Sequence, residues 1–567
     1  FYKKYDNTNL FSNFENIELT NLSDIQNYVP IYKKFFNLNE NNYNTIGLNH
    51  KFHIKNIKSR ETENKFVGEV SDISNVIHEK QMFFKYSPLL DPTKYITGKY
   101  DTSHNDLIKL PRFENDVAHS KLCDTNNSAY VDSFFSYLTS QLLNDNEFIH
   151  GIDFYGSFLG IKHDFIYDIN DEVEYLYDSD YFHKNKSTLF TVENSFHNDL
   201  LNKNTRNYKN NITIGGDIGV DEIILTETEM LDDINDLFDN VNNEVDVSGN
   251  NHGPELFYEG KIEECNDDNS SESCSSRSSN SDNGDNDDCS DDCSDDDSMD
   301  STLSDEVINV NIKAFPVQLI ALERCNDTLD ALIASDVLTD DELSAIVVQI
   351  LMMLITYQKI FSFTHNDLHT NNIMYIKTEK QYLYYKYNDK YYKVPTFGKI
   401  FKLIDFGRAI YKFRGNTICS DSYHPEGDAA TQYNCEPYFN DNKPRLEPNN
   451  SFDLCRLGCS LFDYYVDDLE NVTQDKSEII NIIIKWCYDD KNRNILYKTN
   501  GDERYPDFKL YKMIARTVNN HVPSKVLQYS HFNRFIITKK KNNKSKLINI
   551  DTMKEQIWTD YVVGKIW

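Results

Sequence analysis

The stretch His365-Asn366-Asp367-Leu368-His369-Thr370-Asn371-Asn372 is followed, a strand hairpin later, by Leu403-Ile404-Asp405-Phe406-Gly407. In the first segment an aspartate stands two residues after a histidine, and an asparagine five residues after that aspartate. The second segment places another aspartate where an apolar strand ends. Two carboxylates and an amide supply hard oxygens and acid–base capacity, and only folding brings them together. Upstream, Thr339-Asp340-Asp341-Glu342 is a capping-box pattern, followed by an apolar stripe of Leu343, Ile346, Val347, Ile350, Leu351 and Leu354. About 22 residues at ~1.5 Å rise predict roughly 33 Å of helix ending just before His365. Downstream, residues 373–376 and 399–404 are strand-like. Between them lies a Tyr-rich hairpin with strands at 382–387 and 390–394 around Asn388-Asp389. Its tyrosines fit cross-strand packing better than a partner surface.

H-x-D-L-x-x-x-N behind a long apolar helix, then Asp-Phe-Gly behind an apolar strand, resembles the catalytic core of the protein kinase superfamily. The form is a divergent one, similar to the serine/threonine kinases of giant DNA viruses. The resemblance implies an α+β, two-lobed fold with a small antiparallel β-sheet lobe, a mainly helical large lobe and a long acidic insertion. It implies ATP and magnesium as cofactors and transfer of the γ-phosphate to Ser/Thr hydroxyls of a protein substrate. Asp367 would orient and deprotonate the acceptor hydroxyl, and Asn372 and Asp405 would hold magnesium. Gly407 would let the chain turn beside the metal. His365 would support the catalytic loop, as would Asp453 in Ser451-Phe452-Asp453-Leu454-Cys455-Arg456-Leu457-Gly458.

On the nucleotide side, Lys85 in Met82-Phe83-Phe84-Lys85-Tyr86 takes the place of the strand lysine that grips the phosphates. Gly68 is the only glycine where the family has its glycine-rich loop. Residues 311–323 resemble the strand leading to the hinge, with Leu322 at the back of the adenine pocket and Glu323 and Cys325 in the hinge; Cys325 would supply the backbone contact. The sequence departs from the family at several points. The helix expected over 128–144, capped by Asn127 or Ser128 and apolar at Val131, Phe134, Phe135, Leu138 and Leu142, holds no glutamate to pair with the lysine. Asp132 is its only acid. Asp132 reaching the lysine, Glu114 substituting from the preceding loop, and a missing pair remain open at this point. Asn366 replaces the arginine that receives a phosphorylated activation loop. His369 replaces a lysine near the transferred phosphate; it is either a pH-sensitive catalytic substitute or a structural residue. Residues 408–450 suit an activation and docking loop, but no Ala-Pro-Glu ends it; Glu436-Pro437 comes nearest. Two other functions fit the pattern: a pseudokinase scaffold, motivated by the missing loop and helix glutamate, and a small-molecule kinase of the same superfamily.

The chain of 567 residues carries a formal charge of −33. Between Ile262 and Glu306 lie seventeen acidic residues and one basic residue, Arg277, which accounts for about half of that excess. Such a balance disfavours direct binding to nucleic acid and suits a basic partner. The tract 263–306 is too poor in apolar groups to offset its ordering entropy, so disorder is expected there. Cys265, Cys274, Cys289 and Cys293 lack the spacing of a zinc site, whereas Ser290 and Ser294, each followed by acids, suit an acid-directed kinase. Residues 212–225 are strand-like and 228–238 weakly helical. The longest apolar run, 345–355, contains Gln349 and falls short of the ~20 residues a membrane span requires. The first residue is Phe1, and no signal-peptide pattern follows it. Eleven cysteines without paired Cys-x-x-Cys motifs fit a reducing, intracellular setting, either host cytoplasm or a virion. The expected organisation is an N-terminal extension at 1–60, the first part of the small lobe at 61–160 and an insertion at 161–310. A strand and hinge at 311–327, a large lobe at 328–540 and a tail at 541–567 complete it. The basic run 539–546 fits a solvated surface.

Overall fold

The computed structural model describes residues 2–4, 6–103, 105–113, 118–193, 308–335, 338–466, 469, 472, 476–538 and 546–554. All belong to one of the two units into which the chain divides, residues 1–201 with 272–567. Glu114, the segments 212–225 and 228–238, the acidic tract with its cysteines and serines, and most of the basic run lie outside the described residues.

The strands of the main sheet are β1 (Leu22–Gln26), β2 (His53–Arg60), β3 (Lys65–Ser71), β4 (Ile77–Pro88), β5 (Phe154–Asp168), β6 (Phe190–Glu193) and β7 (Asn309–Glu323). Then come β8 (Asp327–Thr328), β9 (Ile373–Lys377), β10 (Tyr382–Tyr387), β11 (Lys390–Pro395), β12 (Lys399–Leu403), β13 (Ile410–Phe413), β14 (Asn416–Cys419), β15 (Ile536–Ile537) and β16 (Leu547–Asn549). The helices that position the site are α1 (Thr8–Glu15), α2 (Ser128–Asn146), α3 (Asp340–Phe361), α4 (Phe452–Tyr465), α5 (Glu478–Trp486) and α6 (Lys509–Thr517).

The architecture is α+β. Its main sheet is antiparallel, in the order β1-β5-β7-β4-β3-β2, with β6 added on β7. Side chains alternate between the faces of a strand, and in β4 this sorts them by function. Met82 and Phe84 are buried on one face, where Phe84 stacks on Phe66 at 4.4 Å and meets Phe14 of α1 at 6.2 Å. Lys85 takes the opposite face, toward α2. The sheet begins earlier than a boundary at residue 61 allows, because β1 and β2 lie within residues 1–60 and α1 covers its apolar face. It also extends past residue 160 through β5.

Helix α3 has both legs of its capping box: the Thr339 amide to Glu342 Oε2 at 3.1 Å and the Glu342 amide to Thr339 Oγ1 at 3.3 Å. Nearly every side chain from Leu343 to Tyr357 is buried, as suits a helix that is apolar all round at the centre of a domain. By length and composition it passes for a membrane span, but 89% of the relevant window is buried inside the fold. In the hairpin β10–β11, Asn388 and Asp389 both adopt positive φ, +50° and +57°, as a two-residue turn of primed type requires. Tyr385 and Tyr392 face each other across it and are buried, so these tyrosines are packing residues.

Gly68 corrects a sequence expectation. It lies in the middle of β3, opposite Ile57 and Lys80, not in a phosphate loop. A Cβ there would stand 2.5 Å from the Asn56 carbonyl and 3.0 Å from the Met82 methyl. Its role is close packing of β3 on β2. Gly68→Ala is expected to lower stability by about 1–3 kcal/mol, the scale of overpacking, read from urea unfolding; an unchanged midpoint would refute the packing role.

Candidate functional site

Three segments that the sequence singles out converge on one ammonium. Lys85 Nζ donates to Asp132 Oδ2 at 2.7 Å and pairs with Asp405 Oδ1 at 2.9 Å. Of the three possibilities for the lysine's partner, Asp132 reaching it is the one observed. Asp132 also accepts the Phe406 amide on Oδ1 at 2.9 Å, which joins α2 directly to the segment after β12. Burial pulls the Lys85 pKa down, but the Asp132 and Asp405 charges outweigh it and hold the group above its ordinary value. Asp405 sits below the usual carboxylate range because Lys85 outweighs its burial, whereas burial beside a second carboxylate pushes Asp132 up.

The left-handed turn beside these groups belongs to Asp405, at φ +61°. This corrects the expectation for Gly407, which is not left-handed and whose added Cβ would make only ordinary contacts, 3.5 Å from Asp405 Oδ1. Phe406 is fully buried against Phe135 at 4.7 Å and His365 at 5.6 Å.

The loop before β9 hangs from a buried carboxylate. Asp453 of α4 accepts the amides of His365 at 3.0 Å and Asn366 at 2.9 Å, and His365 Nε2 lies 2.9 Å from the Ile404 carbonyl. Asn366, at φ +65°, donates Nδ2 to the Arg408 carbonyl at 3.1 Å and accepts the Tyr433 hydroxyl at 2.7 Å. Asparagine tolerates that backbone region better than most side chains. Asn372 donates Nδ2 to the Asp367 carbonyl at 2.9 Å and lies 3.1 Å from His369 Nε2. Burial drives the His369 imidazole down to about 4, so it is neutral near pH 7. The imidazole is then an uncharged partner of the Asn372 amide. Burial works against the Asp367 charge, but Arg408, Arg456, His369 and Tyr511 prevail and bring it to about 2.

At the end of β7, Leu322 pairs with Phe83, two residues from Lys85 and therefore on the same face of β4. The Glu323 side chain accepts the Asp153 amide at 2.8 Å and pairs with the buried ammonium of Lys402, which also donates to the Gly151 carbonyl at 2.7 Å. Glu323 thus struts the end of β7 against β12 through its side chain. The backbone groups of Cys325 have no hydrogen-bond partner among the described residues. Between β2 and β3 the turn contains no glycine. The Glu61 and Thr62 amides there bond the Lys65 carbonyl, at 2.8 and 3.3 Å, and Glu61 pairs with Arg324, just after β7.

Sequence reasoning missed several residues that complete this site. Asp421 accepts the Ser128 amide on Oδ1 at 2.9 Å and pairs with Lys121 through Oδ2 at 2.7 Å, and its own amide bonds the Asn126 carbonyl at 2.7 Å. A carboxylate at a helix N-terminus satisfies an orphan amide and complements the helix dipole. Arg408, Arg456 and Tyr511 surround Asp367. Arg408 directly follows Gly407 and Arg456 lies in the quoted α4 segment, so both were within reach of the motifs; Asp421 and Tyr511 carried no local signal. Among the described residues no group of three His, Cys, Asp or Glu side chains is arranged to hold a metal.

The chain matches no known family model. No curated protein matches its sequence.

Asp421→Ala should cost about 1–3 kcal/mol, the value of a lost cap and a broken hydrogen bond to charge, with Asp421→Asn falling between it and wild type; equal urea midpoints for all three would exclude the brace. A second outcome follows from His369. Its folded pKa lies below the ordinary 6.5, so between about pH 6.5 and 4 the unfolded chain holds a proton that the folded chain does not. Stability therefore falls as pH drops through that window. His369→Gln should shrink the loss of urea midpoint between about pH 7 and pH 5, and an equal loss would mean that the imidazole charges within the fold.

Proposed function

We propose that the chain is a phosphotransferase built on a two-lobed kinase fold. More narrowly, we infer an ATP- and magnesium-dependent protein kinase that transfers the γ-phosphate to Ser/Thr hydroxyls. The observation that carries this reading is the Lys85 ammonium held between Asp132 and Asp405. The three residues are far apart in sequence, and their meeting supports a site made for phosphate and a cation. Phosphoryl transfer depends on positioning and charge neutralisation more than on covalent chemistry, and each group on the page suits one of those tasks. Lys85 would hold phosphate oxygens. Asp367, ionised and half-buried, would orient the acceptor hydroxyl and take its proton. Leu322 would wall the base pocket, and the free Cys325 backbone groups would bond the base edge.

The donor set also suits magnesium. Asn372 spends its Nδ2 on the Asp367 carbonyl and His369, and Asp405 spends Oδ1 on Lys85. Asn372 Oδ1 and Asp405 Oδ2 have no hydrogen-bond partner among the described residues. A cation that takes few protein oxygens beside substrate phosphates and water fits that pair. When bound, it would neutralise charge on the transferring phosphate.

A pseudokinase scaffold is favoured by one observation, the glycine-free turn whose Glu61 and Thr62 amides are spent within its own hairpin and whose Glu61 is tied to Arg324. Thermal shift with magnesium-ATP, followed by labelled-phosphate transfer to a mixed protein substrate, separates the two. Wild type should bind and transfer. Asp367→Asn should bind but lose roughly 10²–10⁴-fold in transfer, the scale of general-base catalysis, and Lys85→Met should lose binding as well. Binding without transfer by wild type supports the scaffold, and equal transfer by Asp367→Asn removes Asp367 from the chemistry.

A further inference from the structure

Asp367 is held by a tyrosine that lies outside every motif. Its Oδ1 accepts the Tyr511 hydroxyl of α6 at 2.7 Å, and the same phenol oxygen accepts Arg456 Nε–H of α4 at 2.9 Å. The guanidinium carbons of Arg456 and Arg408 lie 5.2 and 5.5 Å from the Tyr511 ring centroid, and Phe508 stacks on the ring at 5.2 Å. The phenol is therefore fixed from two helices. Arg408 commits Nη2 to Asp428 at 2.6 Å and leaves Nη1 4.0 Å from Asp367 Oδ2. Oδ2 has no hydrogen-bond partner among the described residues.

We propose that Tyr511 is the positioning residue of Asp367: by occupying Oδ1, and by taking its own orientation from Arg456, it turns Oδ2 toward the acceptor hydroxyl. This rests on the function proposed above. A carboxylate rotates readily about its last side-chain bond, so an unheld Asp367 would present either oxygen, or neither, along the line of transfer. With Oδ1 occupied, the acceptor hydroxyl bonds Oδ2. As its oxygen forms the bond to the γ-phosphorus, the bond from that phosphorus to the ADP oxygen breaks, ADP leaves with the electron pair, and the hydroxyl proton passes to Oδ2. The Tyr511 O–H remains a donor throughout and is not consumed.

The charged and titratable groups facing Asp367 are Arg408, Arg456, the neutral His369, Tyr511 and, more distantly, Asp405. Burial raises the Tyr511 pKa and the Asp367 charge raises it further, so the phenol keeps its proton. Deleting the hydroxyl removes that donor to Asp367 and also the acceptor of Arg456 Nε, while both guanidiniums keep their contact with the ring, so the effect is read at Asp367 itself.

The test is Tyr511→Phe, which keeps the ring between the guanidiniums and deletes one O–H. Expected are a kcat lower by about tenfold or more, as for a lost hydrogen bond to charge, an unchanged KM for ATP, and an acidic limb of kcat moved to higher pH. Independently of turnover, ¹³C-carboxyl titration should show Asp367 taking up its proton at higher pH in the variant than in wild type. Replacement of Tyr511 by 3,5-difluorotyrosine, a stronger donor of the same shape, should move the titration the other way and covers the case in which Tyr511→Phe unfolds. An unmoved Asp367 titration in either folded variant, or a wild-type kcat in Tyr511→Phe, overturns the proposal. A shifted titration in a protein whose wild type transfers no phosphate assigns the failure to the proposed function, and it reduces Tyr511 to a structural holder of Asp367.

Discussion

The architecture of the site depends on one ammonium shared by two carboxylates. Asp132 and Asp405, from α2 and from the end of β12, would repel if left alone together; Lys85 from β4 neutralises part of that repulsion and holds both within 3 Å of its nitrogen. A partly buried ionic cluster of this kind does little for net stability, but removing one member leaves a charge unpaired. The arrangement is thus strongly specified even where it contributes little energy. An aspartate is one methylene shorter than a glutamate, so α2 must approach β4 closely for Asp132 to reach. Two contacts keep it there: the Phe406 amide on Asp132 Oδ1, and the Asp421 carboxylate on the first amide of α2. The short acid and the helix brace are one structural solution.

Elements with local signals were legible in the sequence. The capping box of α3, the primed turn at Asn388-Asp389 and the Asn127 cap of α2, whose side chain accepts the Ala129 amide at 3.1 Å, each depend on residues within four positions of one another. Residues 1–60 were opaque for a physical reason. β2 pairs with β3 through two register shifts, between Ile54 and Asn56 and between Ile57 and Ser59, and bulges of that kind break the period-two alternation by which a strand is recognised. Within the site, Asp367, Asn372 and Asp405 stood out as a spaced constellation. Tyr511 did not, because it meets Asp367 across 144 residues with no pattern of its own.

Asn366 and His369 are each fitted to their surroundings. Asn366 adopts a left-handed backbone that suits asparagine, and its amide joins Arg408 and Tyr433 within the core. His369, kept neutral by burial, lies beside the Asn372 amide and fixes which end of that amide remains available. Both are neutral hydrogen-bonding side chains, and the positive charge near Asp367 is carried by Arg408 and Arg456.

That placement of charge bears on control. On the proposed function, ordering the nucleotide side requires α2 to be held against β4, and an added phosphate could do this only with a cationic pocket to receive it. Asn366 supplies no such cation, and Arg408 is already committed to Asp428 at 2.6 Å. Lys121 is likewise occupied, by Asp421 of the chain itself. The carboxylate of Asp421 reaches the helix terminus without any modification, and the Tyr423 hydroxyl anchors the same segment on the Arg408 carbonyl at 2.8 Å. The segment that follows Asp405 therefore carries its own negative charge at the place where an added one would act. The assembled site is a property of the folded chain, and the helix brace and the lysine grip stand or fall together through Asp132.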